Sequence, residues 1–321
     1  MNITVIGCGR WGSLITWYLD HIGHRVTLYG RAASPRMQAF LTTRQNDLLT
    51  LPESVALSTA LDAALESAET VIISIGSQSL RSLLGQSELQ ALRNRTVVLC
   101  MKGLEMGTGA RLSQIAAELL HPSNTVAVWL GPGHVQEFYR GIPNCMVIDS
   151  ENEDVKRRLV QAFSSDLIRF YYGGDMIGNE VGAAAKNVVG IAAGFLDGFE
   201  MSSLKGALMS RGTREVARLI KAMGGSELSA YGLCHLGDYE ATVFSPYSHN
   251  RQFGESFVRG QDYHQLAEGY YTVKALMLLG QRYGVELPIC KAVHDILYEQ
   301  AVPRDMLAGL LRRGLTEEFY D

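Results

Sequence analysis

The sequence has little of what marks a disulfide-bonded, metal-binding or membrane-spanning protein. Its five cysteines are scattered and show no C-x-x-C spacing, which indicates reduced thiols rather than bridges or zinc ligands. The eight histidines are scattered too, so no resident metal is expected. A transmembrane helix needs roughly 20 apolar residues in a row. No such run is present, because Gly, Lys, Arg or Glu interrupts each apolar stretch.

A large excess of charge of one sign is also lacking. Lys and Arg number 29 against 33 Asp and Glu, a net charge of −4 without a charged tail, which argues against a nucleic-acid partner. The chain starts Met-Asn-Ile-Thr-Val-Ile, which is strand-like and lacks the charged start of a signal peptide. We therefore expect a cytoplasmic protein that does not insert into a membrane.

Short apolar runs alternate with helical patterns through the first half of the chain. The strand-like runs are Ile3–Ile6, Arg25–Tyr29, Thr70–Ser74, Thr96–Cys100, Thr125–Leu130, Cys145–Asp149 and Ile168–Tyr172. This alternation predicts a doubly wound parallel α/β sheet. Beyond Gly174 the periods are helical, and a chain of 321 residues is long for one core. We therefore predict two domains, 1–174 for dinucleotide binding and 175–321 all-helical for substrate binding and catalysis.

A glycine-rich fingerprint directly follows the first predicted strand. In Gly7-Cys-Gly9-Arg-Trp-Gly12, the three glycines permit a tight turn, a close backbone approach to a pyrophosphate and close helix–strand packing. The helix that begins here offers N–H donors and a favourable dipole to the phosphates. The pattern predicts a Rossmann domain in which this turn, including Arg10 and Trp11, contacts a dinucleotide.

The end of the second predicted strand indicates which dinucleotide is bound. It reads Leu28-Tyr29-Gly30-Arg31 and lacks the acidic residue that would bind the ribose 2′-hydroxyl of NAD. The guanidinium of Arg31 can contact a 2′-phosphate instead. We predict NADPH as the cofactor, and NADH remains the alternative.

Lys186 is a lone charge in the small, apolar segment Gly178–Gly194. The pattern is that of a buried helix, in which a lysine loses hydration and its neutral form is favoured. Such a lysine can exchange a proton near neutral pH, which hydroxyl/ketone interconversion requires. The alternatives are a structural lysine paired with a buried carboxylate such as Glu180, or one that reaches the surface.

Four further segments occur in the order and spacing that are found in one protein family. They are Lys102-Gly-Leu-Glu105, Gly131-Pro-Gly-His-Val-Gln-Glu137, Glu180-Val-Gly-Ala-Ala-Ala-Lys186-Asn187, and Gly237-Asp238 followed by Ser248-His-Asn-Arg-Gln-Phe-Gly254. Together with the fingerprint they resemble the bacterial-type NAD(P)-dependent sn-glycerol-3-phosphate dehydrogenases over essentially the whole chain. The resemblance implies a Rossmann domain followed by an all-α C-terminal domain, as in the 6-phosphogluconate-dehydrogenase-like fold.

The resemblance also implies roles for individual residues. Lys186 matches the catalytic lysine, Lys102 a second lysine that polarises the carbonyl or holds the substrate, and Asp238 a carboxylate that holds Lys186 or the substrate hydroxyls. A helix N-cap is the structural alternative for Asp238. Substrate binding is implied for Lys102, Gly131, Gly133, Lys186, Asp238, Ser248, His249 and Asn250. Cofactor binding is implied for Lys102, Val135, His249, Leu266 and Glu268, beside the fingerprint residues and Arg31.

The chain departs from the pattern of that family at three places, one of which is Met201-Ser-Ser203, where a Gly-Asp-Asn or Gly-x-Asn is favoured. His249 stands where an arginine is usual, and a histidine binds phosphate more weakly above its pKa, so that Arg251 or Lys102 could take over. Gly133-His134 replaces a Ser or Thr followed by an aromatic residue.

The reaction expected from the resemblance is the reduction of dihydroxyacetone phosphate to sn-glycerol 3-phosphate, for glycerophospholipid synthesis. The expected partner is thus a small phosphorylated ketone or alcohol, and a homodimer is an assembly to consider. Two alternatives stay open: a related dehydrogenase for another 2-keto compound, of the ketopantoate or opine type, and a nucleotide-binding protein without catalysis.

Overall fold

The computed structural model describes residues 1–312 and residue 318, except for the side chain of Leu311. The chain forms two compact units: unit 1 comprises Met1–Met101 and Leu112–Met176, and unit 2 comprises Lys102–Arg111 and Ile177–Asp321. Within the described residues, no helix is long and apolar enough to cross a membrane.

Unit 1 is built on an eight-stranded sheet in the order β3-β2-β1-β4-β5-β6-β7-β8. The strands are β1 (Asn2–Ile6), β2 (Arg25–Tyr29), β3 (Ala56–Ser58), β4 (Thr70–Ile73), β5 (Thr96–Leu99), β6 (Thr125–Leu130), β7 (Asn144–Asp149) and β8 (Ile168–Tyr172). The central strands β4 and β5 are buried along their full length, as expected when helices cover both faces of a parallel sheet. The predicted doubly wound sheet is confirmed, and the chain reverses its winding direction beside β1, where such folds bind ligands.

One strand departs from the parallel arrangement that the sequence predicts. β7 pairs antiparallel with β6, while all other neighbouring strands of the sheet are parallel. The connection contains only the five-residue helix α7 (Val135–Tyr139).

The remaining helices of unit 1 pack on the two faces of the sheet. They are α1 (Arg10–His21), α2 (Pro35–Thr43), α3 (Leu61–Leu65), α4 (Leu80–Leu84), α5 (Ser87–Gln90), α6 (Leu112–Leu119) and α8 (Glu153–Phe163). Asn152 begins α8 by accepting a hydrogen bond from the backbone N–H of Val155, at 3.0 Å. The largest buried side chain of the unit, Trp129, packs edge-on against Phe170 and Tyr18.

Unit 2 is helical among its described residues. Its helices are α9 (Met176–Gly198), α10 (Lys205–Ala222), α11 (His249–Val258), α12 (Glu268–Tyr283), α13 (Pro288–Tyr298) and α14 (Pro303–Leu311). α9 is buried without interruption from Gly178 to Leu196 and forms the centre of the unit. Its small residues let neighbouring helices approach closely: a Cβ on Gly194 would lie 2.1 Å from the carbonyl oxygen of Arg251 in α11.

The predicted domains, 1–174 and 175–321, differ from these units at the boundary, where 175–176 belong to unit 1, and in one longer segment. Lys102–Arg111 falls in the predicted first domain, but it groups with unit 2. Leu104 is fully buried in the core of unit 2, and a Cβ on Gly109 would contact Leu279 at 3.1 Å. The last part of the predicted second domain, 313–317 and 319–321, lies outside the described residues.

Candidate active site

Three of the sequence-predicted residues meet inside unit 2. The Nζ atoms of Lys102 and Lys186 lie 2.7 and 2.9 Å from the same carboxylate oxygen, Oδ2 of Asp238. Asp238 is 1% exposed, Lys186 8% and Lys102 18%, so Lys102 is the member of the cluster most open to solvent. Two cations thus share one buried anion, which leaves the cluster with an excess positive charge.

The environment of Lys186 favours its neutral form. Burial lowers the pKa of Lys186 to about 8; the charge of Asp238 opposes this shift, and the charge of Lys102 adds to it. The ammonium group also donates a hydrogen bond to Oγ1 of Thr242, at 2.7 Å. A lysine with this pKa exchanges a proton readily near neutral pH.

A short π-helix, Glu240–Phe244, positions Thr242. The Thr242 hydroxyl donates to the carbonyl oxygen of Asp238 at 2.7 Å, so its lone pairs face Lys186. π-Helical turns are frequent at functional sites. The sequence analysis did not single out Thr242, although its position four residues after Asp238, on the same helical face, is the signal that would have found it.

One carboxylate oxygen of Asp238 is not used in its contacts with the two lysines. Its Oδ1 is buried and has no hydrogen-bond partner among the described residues. A buried carboxylate oxygen without a donor is costly, which makes it a place where a hydroxyl group or a water molecule is stabilising. Asp238 lies in a 3₁₀ turn, Leu236–Asp238, and its side chain pairs with lysines, so the N-cap alternative is wrong.

The segment that carries Lys102 is fixed to α9 at two points. The amide nitrogen of Asn187 donates to the backbone oxygen of Lys102 at 2.8 Å. Arg111 and Glu180 form a largely buried ion pair at 2.6 Å. Glu180, considered above as a structural partner for Lys186, is therefore the partner of Arg111 instead.

The predicted phosphate-binding residues lie at the start of α11. Ser248 caps the helix by accepting from the N–H of Arg251, at 3.3 Å, and Nδ1 of His249 lies 2.7 Å from the hydroxyl of Tyr263. Asn250 donates to Oδ1 of Asn187 at 3.0 Å. This bond joins the start of α11 to the helix that carries Lys186.

Arg251, the possible substitute for the missing family arginine, is occupied elsewhere. Its guanidinium pairs with Asp197 at 2.7 Å and with Glu255 at 3.0 Å, and it donates to the backbone oxygen of Ser245. Lys102, the other substitute suggested by the sequence, is itself paired with Asp238.

The last two predicted cofactor residues of unit 2 precede or begin α12. Leu266 is 54% exposed, and Glu268 is the first residue of the helix. The next N–H, of Gly269, donates to Oδ1 of Asn250 at 2.9 Å. The start of α12 is thereby held against the start of α11.

The fingerprint turn in unit 1 fits a dinucleotide. Gly7 has a φ of +116°, and a Cβ there would lie 2.1 Å from the Ser74 oxygen; one on Gly12 would lie 1.9 Å from the Gly7 oxygen. A Cβ on Gly9 would meet only Nη1 of Arg36, at an ordinary contact distance of 3.8 Å. No side-chain hydrogen bond caps α1, so its first N–H groups are suited to a pyrophosphate.

The neighbours of this turn that the sequence singled out also lie in unit 1. Arg10 and Trp11 are the first residues of α1, and the Trp11 ring lies 6.0 Å from that of Phe138. Gly131 and Gly133 have φ of +128° and +136°. A Cβ on Gly133 would lie 2.2 Å from the Phe138 ring, which explains why the Ser or Thr usual in the family is absent here.

Val135 and Arg31 occupy different environments in unit 1. The Val135 side chain is buried in the core at the start of α7, so a contact with a cofactor would have to use its backbone. Arg31 is exposed after β2, and no acidic side chain precedes it at the end of that strand. Within the described part of the chain, no group of three or more His, Cys, Asp and Glu could hold a metal ion.

A Rossmann-type sheet, a helical second unit and a buried lysine–carboxylate cluster are typical of nicotinamide-dependent dehydrogenases of alcohols. The family of this chain follows from comparison with known proteins. Residues 2–156 match the N-terminal model, and residues 175–308 the C-terminal model, of NAD-dependent glycerol-3-phosphate dehydrogenase. The chain belongs to this family.

Individual relatives agree over the full length. The chain is 32% identical to a glycerol-3-phosphate dehydrogenase [NAD(P)+] of Thermoanaerobacter sp. (strain X514), with 100% of this chain and 99% of that protein covered. It is 33% identical to one of Salinibacter ruber, at 99% and 97% coverage. A crystal structure of glycerol-3-phosphate dehydrogenase from Coxiella burnetii superposes with a TM-score of 0.89 at 27% identity, covering 97% of this chain and 99% of that one.

Proposed function

We propose that this protein reduces dihydroxyacetone phosphate to sn-glycerol 3-phosphate with NADPH, and that NADH is the weaker cofactor. The observation that carries the proposal is the Lys102–Asp238–Lys186 cluster, in a chain of the glycerol-3-phosphate dehydrogenase family. When bound, the reduced nicotinamide supplies a hydride to C2 of the ketone. The product serves glycerophospholipid synthesis.

Lys186 is the proposed proton donor to the ketone oxygen. Its ammonium form donates in reduction and its neutral form accepts in the reverse oxidation, and a pKa of about 8 permits both. Thr242 and Asp238 hold the Nζ atom from two sides. Lys102, as the more exposed cation, stabilises negative charge that develops on the same oxygen. Oδ1 of Asp238, which has no hydrogen-bond partner among the described residues, accepts a hydrogen bond from a substrate hydroxyl.

The substrate phosphate is proposed to bind at the start of α11. Ser248, His249 and Asn250 stand there. Gly131 and Gly133 in unit 1, which have positive φ, are also proposed to bind the substrate through their backbone. The contact of its Nδ1 with the hydroxyl of Tyr263, at 2.7 Å, holds the His249 ring. Because Arg251 is paired with Asp197 and Glu255, the charge at this place depends on His249, and phosphate affinity is expected to fall as pH rises.

The cofactor is proposed to bind across the fingerprint turn. Its pyrophosphate meets the turn at Gly7, Gly9, Arg10, Trp11 and Gly12, and Arg31 contacts its 2′-phosphate. Val135, Lys102, His249, Leu266 and Glu268 are the proposed neighbours of the nicotinamide half. Residues 1–174 are accordingly proposed to bind the cofactor, and residues 175–321 to bind the substrate and catalyse the reaction. The segment Lys102–Arg111 is proposed to act with the catalytic domain, because it groups with unit 2.

The remaining expectations concern the setting of the enzyme. All five cysteines are free, which supports a reducing compartment such as the cytoplasm. A homodimer is the proposed assembly, and sedimentation of the purified protein tests it.

The proposal is tested by following NADPH oxidation with dihydroxyacetone phosphate and with unphosphorylated dihydroxyacetone. We expect turnover with the phosphorylated ketone alone and a loss of about 10²–10⁴-fold in kcat for Lys186→Ala. Lys221→Ala, at a lysine that is 60% exposed, is the matched control and should retain full activity. NADPH binding without turnover of either ketone would overturn the proposal and direct the search to other 2-keto substrates.

A further inference from the structure

The connection between β2 and α2 carries a second arginine that the sequence analysis did not consider. Arg36, near the start of α2, is exposed, and its side chain forms no hydrogen bond or ion pair with the described residues. Arg44, just after the end of the same helix, donates to the carbonyl oxygens of Leu51, Pro52 and Val55. Arg44 thus stabilises the connection that follows α2, whereas Arg36 presents a charge that no carboxylate among the described residues neutralises.

The position of Arg36 is set by the packing of α2. Met37 is fully buried, and it lies so close to the end of β2 that a Cβ on Gly30 would be 2.9 Å from both Cβ and Sδ of Met37. The Sγ of Cys8, inside the fingerprint, would also lie 2.9 Å from a Cβ on Gly30. Ser34, which precedes α2, contacts Cys8 at 3.6 Å between Oγ and Sγ. α2 is therefore fixed against the fingerprint turn and the end of β2 together.

This packing has two consequences for cofactor choice. A side chain at residue 30 would force Cys8 and Met37 to shift, which disfavours an aspartate or glutamate there that would bind the ribose hydroxyls of NADH. The helix also brings Nη1 of Arg36 to 3.8 Å from the Cβ position of Gly9. The exposed guanidinium groups of this connection, Arg31 and Arg36, therefore stand where a ribose phosphate would be placed, on the β2 side of the turn.

We infer that Arg36 binds the 2′-phosphate of NADPH and, with Arg31, determines the preference for NADPH over NADH. A guanidinium offers a planar pair of donors to a phosphate dianion, and its charge here is not consumed by a carboxylate. The pyrophosphate has its own donors at the start of α1, so Arg36 acts on the ribose side. The inference rests on the proposed use of NADPH by this site.

The test measures nucleotide binding and does not depend on turnover. Affinities for 2′,5′-ADP and 5′-AMP are measured by calorimetry at fixed ionic strength, for the wild type and for Arg36→Ala, Arg36→Lys and Arg31→Ala. Arg157→Ala, at an exposed arginine of α8 in the same unit, is the matched control. NADPH and NADH are titrated in parallel by their fluorescence. Circular dichroism verifies that each variant is folded.

For Arg36→Ala we expect the affinity for 2′,5′-ADP and for NADPH to fall roughly tenfold or more, the equivalent of one charged hydrogen bond. The affinities for 5′-AMP and NADH should stay within about twofold, and Arg36→Lys should recover part of the loss. An equal loss for both nucleotides would overturn the inference in favour of a pyrophosphate contact, and no loss would overturn it outright. If the nucleotides behave as expected but no ketone is reduced, the proposed function fails while the role of Arg36 stands.

Discussion

Nζ of Lys186 lies 2.9 Å from Oδ2 of Asp238, and Nζ of Lys102 lies 2.7 Å from the same oxygen. The two neighbours act on Lys186 in opposite directions. The negative charge of Asp238 raises the pKa of Lys186, and the positive charge of Lys102 lowers it, while burial lowers it most. A change at either Asp238 or Lys102 should therefore shift the pKa of Lys186.

The first prediction concerns the direction of pH dependence. Reduction uses the ammonium form of Lys186, which is lost as pH rises through about 8, so kcat for reduction should fall above that pH. Oxidation of glycerol 3-phosphate uses the neutral form and should rise over the same range. Steady-state rates in both directions between pH 6 and 10 provide the measurement, with cofactor affinity determined at each pH as the control. Parallel profiles for the two directions would contradict the assignment of Lys186.

The second prediction is a pair of shifts of opposite sign. Lys102→Met removes a repelling cation, so the pKa of Lys186 should rise and the decline of the reduction rate should move to higher pH. Asp238→Asn removes the attracting anion and should move the decline to lower pH. Both variants will also lower kcat, but the position of the profile is independent of its height. Shifts in the same direction, or none, would show that Lys186 does not control the profile.

The sequence predicted the parts of this site that depend on local pattern. Runs of Val and Ile identified seven strands, and the position of the fingerprint between β1 and α1 followed from them. The apolar surroundings of Lys186 predicted its burial, which is confirmed in α9. β3 was missed because its three residues form too short a run to show an alternation.

Features that depend on contacts distant in sequence could not be predicted in this way. The Lys102–Asp238 pair joins residues 136 positions apart, and the family resemblance implied only that both residues belong to the active site. The antiparallel direction of β7 leaves no trace in its apolar pattern, which is the same for either direction. Nothing in the local sequence marks Arg36, because its place beside Gly9 is set by the packing of α2 against residues that are distant in sequence.

The third prediction concerns Asn187, which joins the Lys102 segment to α11. Its amide donates to the Lys102 oxygen and its carbonyl accepts from Asn250. Asn187→Asp keeps the acceptor for Asn250 but replaces the donor by an anion that repels the Lys102 carbonyl. We expect the free energy of unfolding to fall by about 1–3 kcal/mol and kcat to fall more than the affinity for NADPH. Asn144→Asp, at an asparagine of β7 in unit 1, is the control, and an unchanged kcat for Asn187→Asp would show that the bond does not position Lys102.

The fourth prediction uses the close crossing of α9 and α11. A Cβ on Gly194 would lie 2.1 Å from the Arg251 oxygen and 2.7 Å from the Glu255 nitrogen, both backbone atoms that can move only if the helices separate. Gly194→Ala should therefore lower the free energy of unfolding by about 1–3 kcal/mol or more, as overpacking does. Gly206→Ala in α10 is the matched control, because nothing lies within 4 Å of its Cβ position. There the loss of backbone freedom in the unfolded chain predicts an unchanged or slightly higher stability.

Urea unfolding compares the two variants; equal midpoints would mean that the helices do not cross as closely as described. Since α9 carries Lys186 and α11 begins with His249, a separation of these helices should also reduce kcat/KM in Gly194→Ala and leave it intact in Gly206→Ala.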